Sequence, residues 1–350
     1  MTERSGSNCM RIGQWQLKNK VLAAPMAGFT TRAYRDILRQ HGAALAYGEM
    51  ISAQALVYNN QRTFELLQLA GEESPRVVQL FGSKPDVMSE AARIVQDLGA
   101  DIIDINMGCP SPKIVRNGEG AALLRDLPLA ARIMHAVSHA VNLPVTAKLR
   151  LGWSADSINC REAAQILEAA GAAAIALHGR TRDQFYSGQA DWSQIAAVKK
   201  LVQIPVIGNG DIFSAADAQR RMQESGCDAL MIGRGMVGNP WLIRECVAIL
   251  AGQELPQRPS QQEILRQALL HLQRQIARDI FLAEEKQIDE NTARAEGEKT
   301  AVRSLRAHLA WYIKGLPQAA RMRCRINQSL TAKDIEILFE QWLVQMGESP

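Results

Sequence analysis

The chain has 350 residues, which is long enough for one large domain and a smaller one, and its formal net charge is +4. Its six cysteines are far apart and form no C-x-x-C pair, which argues against a zinc site, an iron–sulfur cluster or a disulfide framework. Residues 1–13 lack the apolar core of a signal peptide, and no later apolar run is long enough to span a membrane. Composition therefore predicts a soluble, metal-free protein of the reducing cytoplasm.

Strands of two kinds alternate along the first 235 residues. In one kind a proline leads into β-branched residues, and in the other a glycine that can end a helix precedes an apolar run. These six strand entries are at Pro75, Gly99, Pro144, Gly171, Pro205 and Gly226. Two further apolar runs come before them, from Val21 to Ala24 and from Ala43 to Tyr47, and helical patterns separate nearly all of these segments.

Eight βα units in series predict an α/β fold, a (β/α)8 TIM barrel, over residues 1–250. A doubly wound sheet would also alternate, but the count of eight and the lack of G-x-G-x-x-G after the first strand favour the barrel. Residues 251–260 contain one glycine and two prolines and are predicted to form a linker. Beyond it, helical periodicity at Gln261 to Phe281, Lys299 to Lys314 and Ala332 to Met346 predicts a small all-α helical bundle over 261–350.

One cysteine ends a predicted strand abruptly. The apolar run that begins at Ala100 stops at Cys109, which lies between Gly108 and Pro110. Glycine permits a sharp turn and proline restricts the outgoing backbone, so the thiol would be held in place, as proton transfer requires. The alternative is that Cys109 is a small buried core residue, which is the commoner place of a lone cysteine.

The other predicted strands also end in polar side chains or glycines. In a barrel of this kind the active site lies at the carboxyl ends of the strands. Polar groups clustered at one rim cost stability, so the pattern favours a functional rim over a purely stabilising one. The residues are Pro25, Met26, Ala27, Glu49, Gln79, Asn106, Cys109, Lys148, His178, Asn209, Gly210, Asp211, Gly233 and Arg234.

The loops after the last two strands predict a phosphate site. Backbone N–H groups beside their small residues can approach a phosphate that Arg234 neutralises, although ordinary turns would also use glycines. Gln79 and Lys148 would then face the rest of the ligand, and an amide beside a cation suits the flat ring of flavin mononucleotide (FMN). If reduced flavin gives hydride to one carbon of a double bond, Cys109 can give a proton to the next.

Eight short motifs lie in order at these strand ends. They are APMAG at 24–28, GEM at 48–50, VQLFG at 78–82, NMGCP at 106–110, KLRLGW at 148–153, HGRTR at 178–182, NGD at 209–211 and GR at 233–234. Together they resemble the tRNA-dihydrouridine synthases, and most of all the bacterial B-type branch, also called NifR3-like.

The resemblance implies an FMN-dependent oxidoreductase that NADPH, or NADH in its place, reduces. The implied FMN ligands are Pro25, Met26, Ala27, Gln79, Lys148, His178, Asn209, Gly210, Asp211, Gly233 and Arg234. Hydride would pass to C6 of a tRNA uridine while Cys109 delivers a proton to C5, and Asn106 would help to position the base. Arg180 and Arg182 are implied contacts to the RNA at the rim, and no obligate protein partner is implied.

Charge is segregated in the helical region. Residues 283–298 carry six acidic side chains and two basic ones, whereas residues 301–330 carry six basic side chains and no acidic one. Such a window predicts a phosphate-binding face, with an ordinary solvated helix face as the alternative. Together with the resemblance, it makes Arg303, Arg306 and Arg325 expected tRNA contacts in a tRNA-binding domain.

Two rival functions share part of this evidence. A free-pyrimidine oxidoreductase of the dihydroorotate or dihydropyrimidine type would use the same chemistry, but the absent cysteine clusters and the basic helical tail count against it. A flavin barrel that binds RNA without turnover would belong to another class. The presence of Cys109, Lys148 and His178 disfavours that second rival.

Overall fold

The computed structural model describes residues 9–67, 69–286 and 288–345. Its strands are β1 (Arg11–Ile12), β2 (Trp15–Gln16), β3 (Val21–Ala23), β4 (Leu45–Ala46), β5 (Ile51–Ser52), β6 (Val77–Phe81), β7 (Ile102–Met107), β8 (Val145–Arg150), β9 (Ala174–His178), β10 (Val206–Asn209) and β11 (Ala229–Ile232). Its α-helices are α1 (Arg32–Gln40), α2 (Ala53–Val57), α3 (Gln61–Leu67), α4 (Pro85–Asp97), α5 (Pro112–Val115), α6 (Leu127–Ala140), α7 (Cys160–Ala169), α8 (Trp192–Lys199), α9 (Ala215–Ser225), α10 (Trp241–Leu250), α11 (Gln261–Glu284), α12 (Glu290–Tyr312), α13 (Ala319–Gln328) and α14 (Ala332–Gln345). The parts of the predicted domains at residues 1–8 and 346–350 lie outside the described residues.

The strands from β3 to β11 form one parallel sheet in the order β4-β3-β11-β10-β9-β8-β7-β6-β5. Tyr47, directly after β4, makes a parallel bridge to Val77 in β6, and this bridge joins the two ends of the sheet. Because β4 and β5 share the second strand position, the nine short strands fill eight positions. The predicted (β/α)8 barrel is confirmed.

The second strand position differs from the prediction of one continuous strand over 43–47. It breaks at Gly48 to Met50 before β5 resumes the pairing with β6. At the break, the Glu49 carboxylate accepts a hydrogen bond of 2.9 Å from the N–H of Gly28, in the loop after β3. This hydrogen bond connects the loop after β3 to the loop between β4 and β5, both at the carboxyl rim of the barrel.

An antiparallel hairpin of β1 and β2 precedes the barrel and was not predicted, since two-residue strands carry no usable periodicity. Ile12 and Leu17 are buried in one apolar cluster with inward residues of the barrel strands such as Ala174 and Met231. The hairpin thus adds to the apolar filling of the barrel interior, and the polar groups are concentrated at the opposite, carboxyl ends of the strands.

The helical region follows residues 251–260, which have no helix or strand. Helix α12 begins at Glu290 rather than at the predicted Lys299, because Asp289 caps it by accepting from the Thr292 N–H at 3.0 Å. Helix α13 was not predicted. Within the described part of the chain, no helix is both long and apolar enough to cross a membrane.

The helical region packs directly on the barrel. One buried apolar cluster contains residues of both, and the Tyr34 ring of α1 stacks on His271 of α11 at a centroid distance of 5.0 Å. Gly238, in the loop after β11, has φ +66°, and a Cβ there would lie 2.4 Å from the carbonyl carbon of Trp311. Only glycine permits this approach, which brings the last turn of α12 to the carboxyl rim.

Candidate functional site

A cavity of about 440 Å³ opens at the carboxyl ends of the strands. All the predicted FMN ligands line it, together with the predicted proton donor Cys109 and the predicted base-positioning residue Asn106. These residues are Pro25, Met26, Ala27, Gln79, Asn106, Cys109, Lys148, His178, Asn209, Gly210, Asp211, Gly233 and Arg234. The parallel strands therefore bring to one cavity residues that are more than two hundred positions apart in the chain.

One end of the cavity is built around Asp211. Its carboxylate accepts from Arg180 Nη2 at 2.7 Å and from Arg234 Nη2 at 3.1 Å, and the left-handed backbone at Gly210 (φ +131°) and Asp211 (φ +51°) makes the tight turn that places it there. Burial opposes the charge of Asp211, but hydrogen bonds from Arg180 and the Ala190 N–H outweigh it and hold its pKa below the usual range. Two cations share one anion, so this end retains a positive charge suited to an anionic ligand.

Lys148 and His178 line the cavity beside it. Lys148 Nζ donates to Asn209 Oδ1 at 3.2 Å, and Asn209 Nδ2 donates to the Met231 carbonyl at 2.7 Å. Burial and then the charge of Arg150 lower the pKa of Lys148 to about 8. Burial, followed by Lys148 and Arg150, holds the pKa of His178 well below its usual value, so its imidazole is neutral at neutral pH.

Cys109 is half-buried and lines the same cavity, so the alternative of a buried core residue is wrong. Asn106 Oδ1 accepts from the N–H groups of Gly108 at 3.1 Å and Cys109 at 2.9 Å, while Arg150 Nε donates to the Gly108 carbonyl at 2.9 Å. Burial raises the pKa of Cys109 despite the nearby charges of Arg150 and Lys148. The thiol therefore keeps its proton at neutral pH, as a proton donor must.

The two arginines expected at an RNA-contacting rim differ in their surroundings. Arg180 is not at the surface, since it is only 1% exposed. It donates to Asp211 and to the carbonyls of Ser187 and Gly188, so it stabilises the loop that contains these two residues and does not face RNA. Arg182 is half-buried, with its guanidinium 4.6 Å from the ring centroid of Trp153. Only the second is partly open to a ligand outside the protein.

The three arginines of the helical region also differ from one another. Arg303 on α12 and Arg325 on α13 are exposed. Arg306 is half-buried, and its Nη2 donates to the Ser329 carbonyl at 2.9 Å, just beyond the end of α13. Arg306 therefore ties two helices together, while the other two present their charge to solvent.

Sequence reasoning did not single out several residues of the cavity. Arg150 lies two positions from the chosen Lys148 on the same strand, so the period of two could have found it. The same period relates Asp104, which is buried behind the cavity lining, to Asn106. Trp311 lines the cavity although it lies on α12. No spacing in the chain indicates that contact, because only the docking of the helices on the barrel creates it.

A solved structure supports the fold from an independent direction. The complex of 2-naphthoyl-CoA reductase with 2-naphthoyl-CoA has a TM-score of 0.56 to this chain at 12% sequence identity, and the match covers 70% of this chain and 52% of that one. At this identity the likeness concerns the fold alone.

Known sequences define the family. The model of the dihydrouridine synthase family, Dus, matches residues 21–346. The tRNA-dihydrouridine synthase B of Pseudomonas aeruginosa is 40% identical over 322 residues, 91% of each chain, and that of Xanthomonas axonopodis pv. citri is 41% identical over 324 residues, 92% of each. A probable tRNA-dihydrouridine synthase of Rickettsia prowazekii is 39% identical over 320 residues, covering 91% of this chain and 92% of that protein. The predicted resemblance is confirmed, and the chain belongs to the dihydrouridine synthase family of enzymes.

Proposed function

We propose that this protein reduces specific uridines of tRNA to 5,6-dihydrouridine, with FMN as its bound cofactor and NADPH, or NADH in its place, as the reductant. The observation that carries the proposal is the protonated thiol of Cys109, held in the same cavity as Lys148 and the cationic end at Arg234. A proton donor and an anion-binding end in one cavity are what the reduction of a conjugated double bond by a phosphorylated cofactor requires.

The residues of the cavity fit FMN. Arg234 and Gly233 suit the phosphate, and a Cβ at Gly233 would lie no nearer than 3.8 Å to Ala24 and Met26, so the backbone there is open to a ligand. Lys148 suits the polar edge of the ring system, where it would stabilise negative charge. When bound and reduced, FMN supplies hydride to C6 of the uracil.

The chain itself supplies the proton and the placement. In the proposed reaction the S–H bond of Cys109 breaks as its proton moves to C5, while the C5–C6 double bond becomes single. The thiolate left behind is stabilised by the nearby positive charges of Arg150 and Lys148, which partly offset the effect of burial on the pKa of this thiol. A solvent proton then restores the thiol.

We assign tRNA binding to the helical region over 261–350 together with the barrel rim. The exposed side chains of Arg303 and Arg325 suit phosphates, and Arg182 beside Trp153 suits a base or a phosphate at the rim. The target base lies within a folded tRNA and must leave its stack to enter the cavity, at a cost of a few kcal/mol. The proposed setting is the cytoplasm, without an obligate protein partner.

Isolation of the protein tests the cofactor and the reaction separately. We expect the isolated protein to be yellow because of bound FMN and to oxidise NADPH slowly. We also expect it to form dihydrouridine in tRNA from a strain that lacks the modification. Colourless protein that does not bind added FMN would refute the cofactor assignment. Mapping dihydrouridine by position in tRNA from a strain without this protein would identify its target uridine.

Replacement of the proposed proton donor is the most direct test of the site. We expect Cys109→Ala to keep FMN and tRNA binding but to lose product formation by about 100-fold or more, because general acid catalysis typically contributes a factor of 10² to 10⁴. Single-turnover formation of dihydrouridine by pre-reduced enzyme measures this. Cys324→Ala, at an exposed cysteine of α13, is the matched control. Full activity of Cys109→Ala would assign the proton to another group.

A further inference from the structure

A chain of side-chain hydrogen bonds runs from Cys109 into the barrel interior. Asn106 Oδ1 accepts from the backbone N–H groups of Gly108 and Cys109, and Asn106 Nδ2 donates to Gln79 Oε1 at 2.8 Å. Gln79 Nε2 in turn donates to Asp104 Oδ2 at 2.6 Å. The chain therefore connects the proposed proton donor to a carboxyl group that does not line the cavity.

The groups at both ends of this chain fix the donor-to-acceptor direction of its hydrogen bonds. A backbone N–H can only donate, so Asn106 must turn its oxygen to the Cys109 turn and its nitrogen to Gln79. Gln79 must then present its oxygen to Asn106 and its nitrogen to Asp104. Thr146 Oγ1 donates to the other oxygen of Asp104 at 2.6 Å. Asp104 thus accepts on both oxygens, and an ionised carboxylate does so without a proton of its own to place.

The strands themselves build this arrangement. Gln79 on β6 and Thr146 on β8 are the register partners of Asp104 on β7, and Asn106 is two residues further along the same strand. All four side chains are buried, and Asp104 is 0% exposed. Neighbouring strands in register point their side chains the same way, so the network has little freedom to rearrange.

A buried carboxylate is costly, and an apolar residue of similar volume would often serve stability as well. We propose that Asp104 is a positioning residue for Cys109: its carboxylate fixes the orientation of the Gln79 and Asn106 amides, and through them the turn that holds the thiol. This inference rests on the proposed role of Cys109 as proton donor, and it adds a residue that does not touch the ligand.

The charge of Asp104 provides the test. Burial raises the pKa of Asp104 to about 6, against the hydrogen bonds from Gln79 and Thr146 and the charge of Lys148. The hydroxyl of Tyr47 is buried in the field of the same carboxylate. Because the charged form is present above this pKa and is lost as pH falls through it, acid would add a proton where two donors already point.

We expect kcat for dihydrouridine formation to fall as the pH is lowered through about 6. In Asp104→Asn this acidic decline should disappear, because an amide does not titrate, and kcat at neutral pH should be close to the level that the wild-type enzyme reaches below the decline. The new amide, like the protonated carboxyl, accepts from Gln79 but requires Thr146 to rotate its hydroxyl. Asp104→Leu leaves Gln79 without an acceptor. We expect its kcat to drop on the order of 100-fold with KM for tRNA nearly unchanged, since misplacement of a reacting group acts on the chemical step.

The rate of Cys109 alkylation by iodoacetamide, followed by peptide mass spectrometry in the flavin-loaded protein, reads the same property without tRNA. We expect it to rise several-fold in Asp104→Leu, because the turn is released. An acidic decline that persists in Asp104→Asn, or unchanged kcat and Cys109 alkylation in Asp104→Leu, would overturn the proposal. If Asp104→Leu does not fold, the pH profile of Asp104→Asn decides. If Cys109 proves not to be the proton donor, the alkylation rates still show whether Asp104 holds it.

Discussion

At the scale of single residues, the charges of the cavity are tuned by burial and by one another. Lys148 donates to Asn209 and lies near Arg150, and both its burial and that neighbouring cation disfavour its charge. Its pKa is about 8 instead of the 10.5 of a free lysine side chain. Lys148 is therefore a cation at neutral pH that loses its charge under mildly alkaline conditions.

This predicts a pH-dependent affinity for the cofactor. As pH rises through about 8, Lys148 loses its proton, the attraction for an anionic ligand weakens, and the Kd for FMN should increase. Quenching of flavin fluorescence by apoprotein across that range measures it. Lys148→Arg should move the increase to higher pH, and Lys148→Met should bind weakly at every pH. If the Kd for FMN of Lys148→Met rose with pH as it does in the wild-type protein, the titrating group would be a residue other than Lys148.

At the scale of elements, the ends of strands and helices bring the chemistry together. The strand pairs Asp104 with Gln79 and Asp104 with Thr146 are direct register partners, so hydrogen bonding between strands also aligns the polar side chains. Helix α12 adds Trp311, which is 40% exposed and lines the cavity, with Lys314 Nζ 4.5 Å from its ring centroid. A flat ring beside a cation at the mouth suits the stacking of an extruded base.

We therefore expect Trp311→Ala to raise KM for tRNA on the order of 10-fold, since stacking on an aromatic ring is worth about 1–3 kcal/mol per base. Steady-state dihydrouridine formation at varied tRNA concentration measures this, with flavin content as the check on folding. Phe281→Ala is the control, because Phe281 on α11 is 54% exposed and lines a different groove. Equal KM values in both variants would remove Trp311 from the path of the base.

At the scale of the whole molecule, the cationic cavity and the exposed arginines of α12 and α13 are parts of one packed structure. Buried apolar residues connect the helices to the barrel, and the close approach at Gly238 fixes the end of α12 to the rim. A tRNA that contacts the helices is thereby placed at a constant distance from Cys109. Such geometry lets a binding surface influence which uridine reaches the site.

The charge of this surface is open to test. We expect Arg303→Gln together with Arg325→Gln to weaken tRNA binding and to reduce the slope of log K against log salt by up to about 2, since each phosphate contact contributes about 0.9. NADPH oxidation without tRNA should be retained. The matched control, Arg93→Gln with Arg220→Gln on α4 and α9, removes two exposed arginines from the barrel. An identical slope in both double variants would place the tRNA elsewhere.

Much of the fold follows from local signals. Proline and glycine punctuation located the main barrel strands, because parallel strands buried on both faces are apolar runs between helix ends. The hairpin at Arg11 to Gln16, the split second strand and the short helix α13 were missed, because each is brief or depends on its neighbours. The early start of α12 was missed for another reason: its first turns are acidic and exposed, and Asp289 alone marks the boundary.

The candidate site divides in the same way. Strand ends in a barrel converge whatever their separation in sequence, so the chain order alone placed Lys148, His178 and Cys109 at one cavity. Burial and pairing depend on packing, and these set Arg180 against Asp211 instead of at the surface. The contribution of Trp311 depends on how the helices dock.

The sequence by itself determined the barrel, the helical region after it, the family and the set of residues around the cavity, because these depend on periodicity and on the order of strands. The tertiary structure alone decided the charge states of Lys148 and Cys109, the link from Asp104 to the Cys109 turn, and which arginines are free to meet a phosphate. Desolvation, hydrogen-bond direction and exposure are properties of a residue's neighbours in space, and most of those neighbours are distant in the chain.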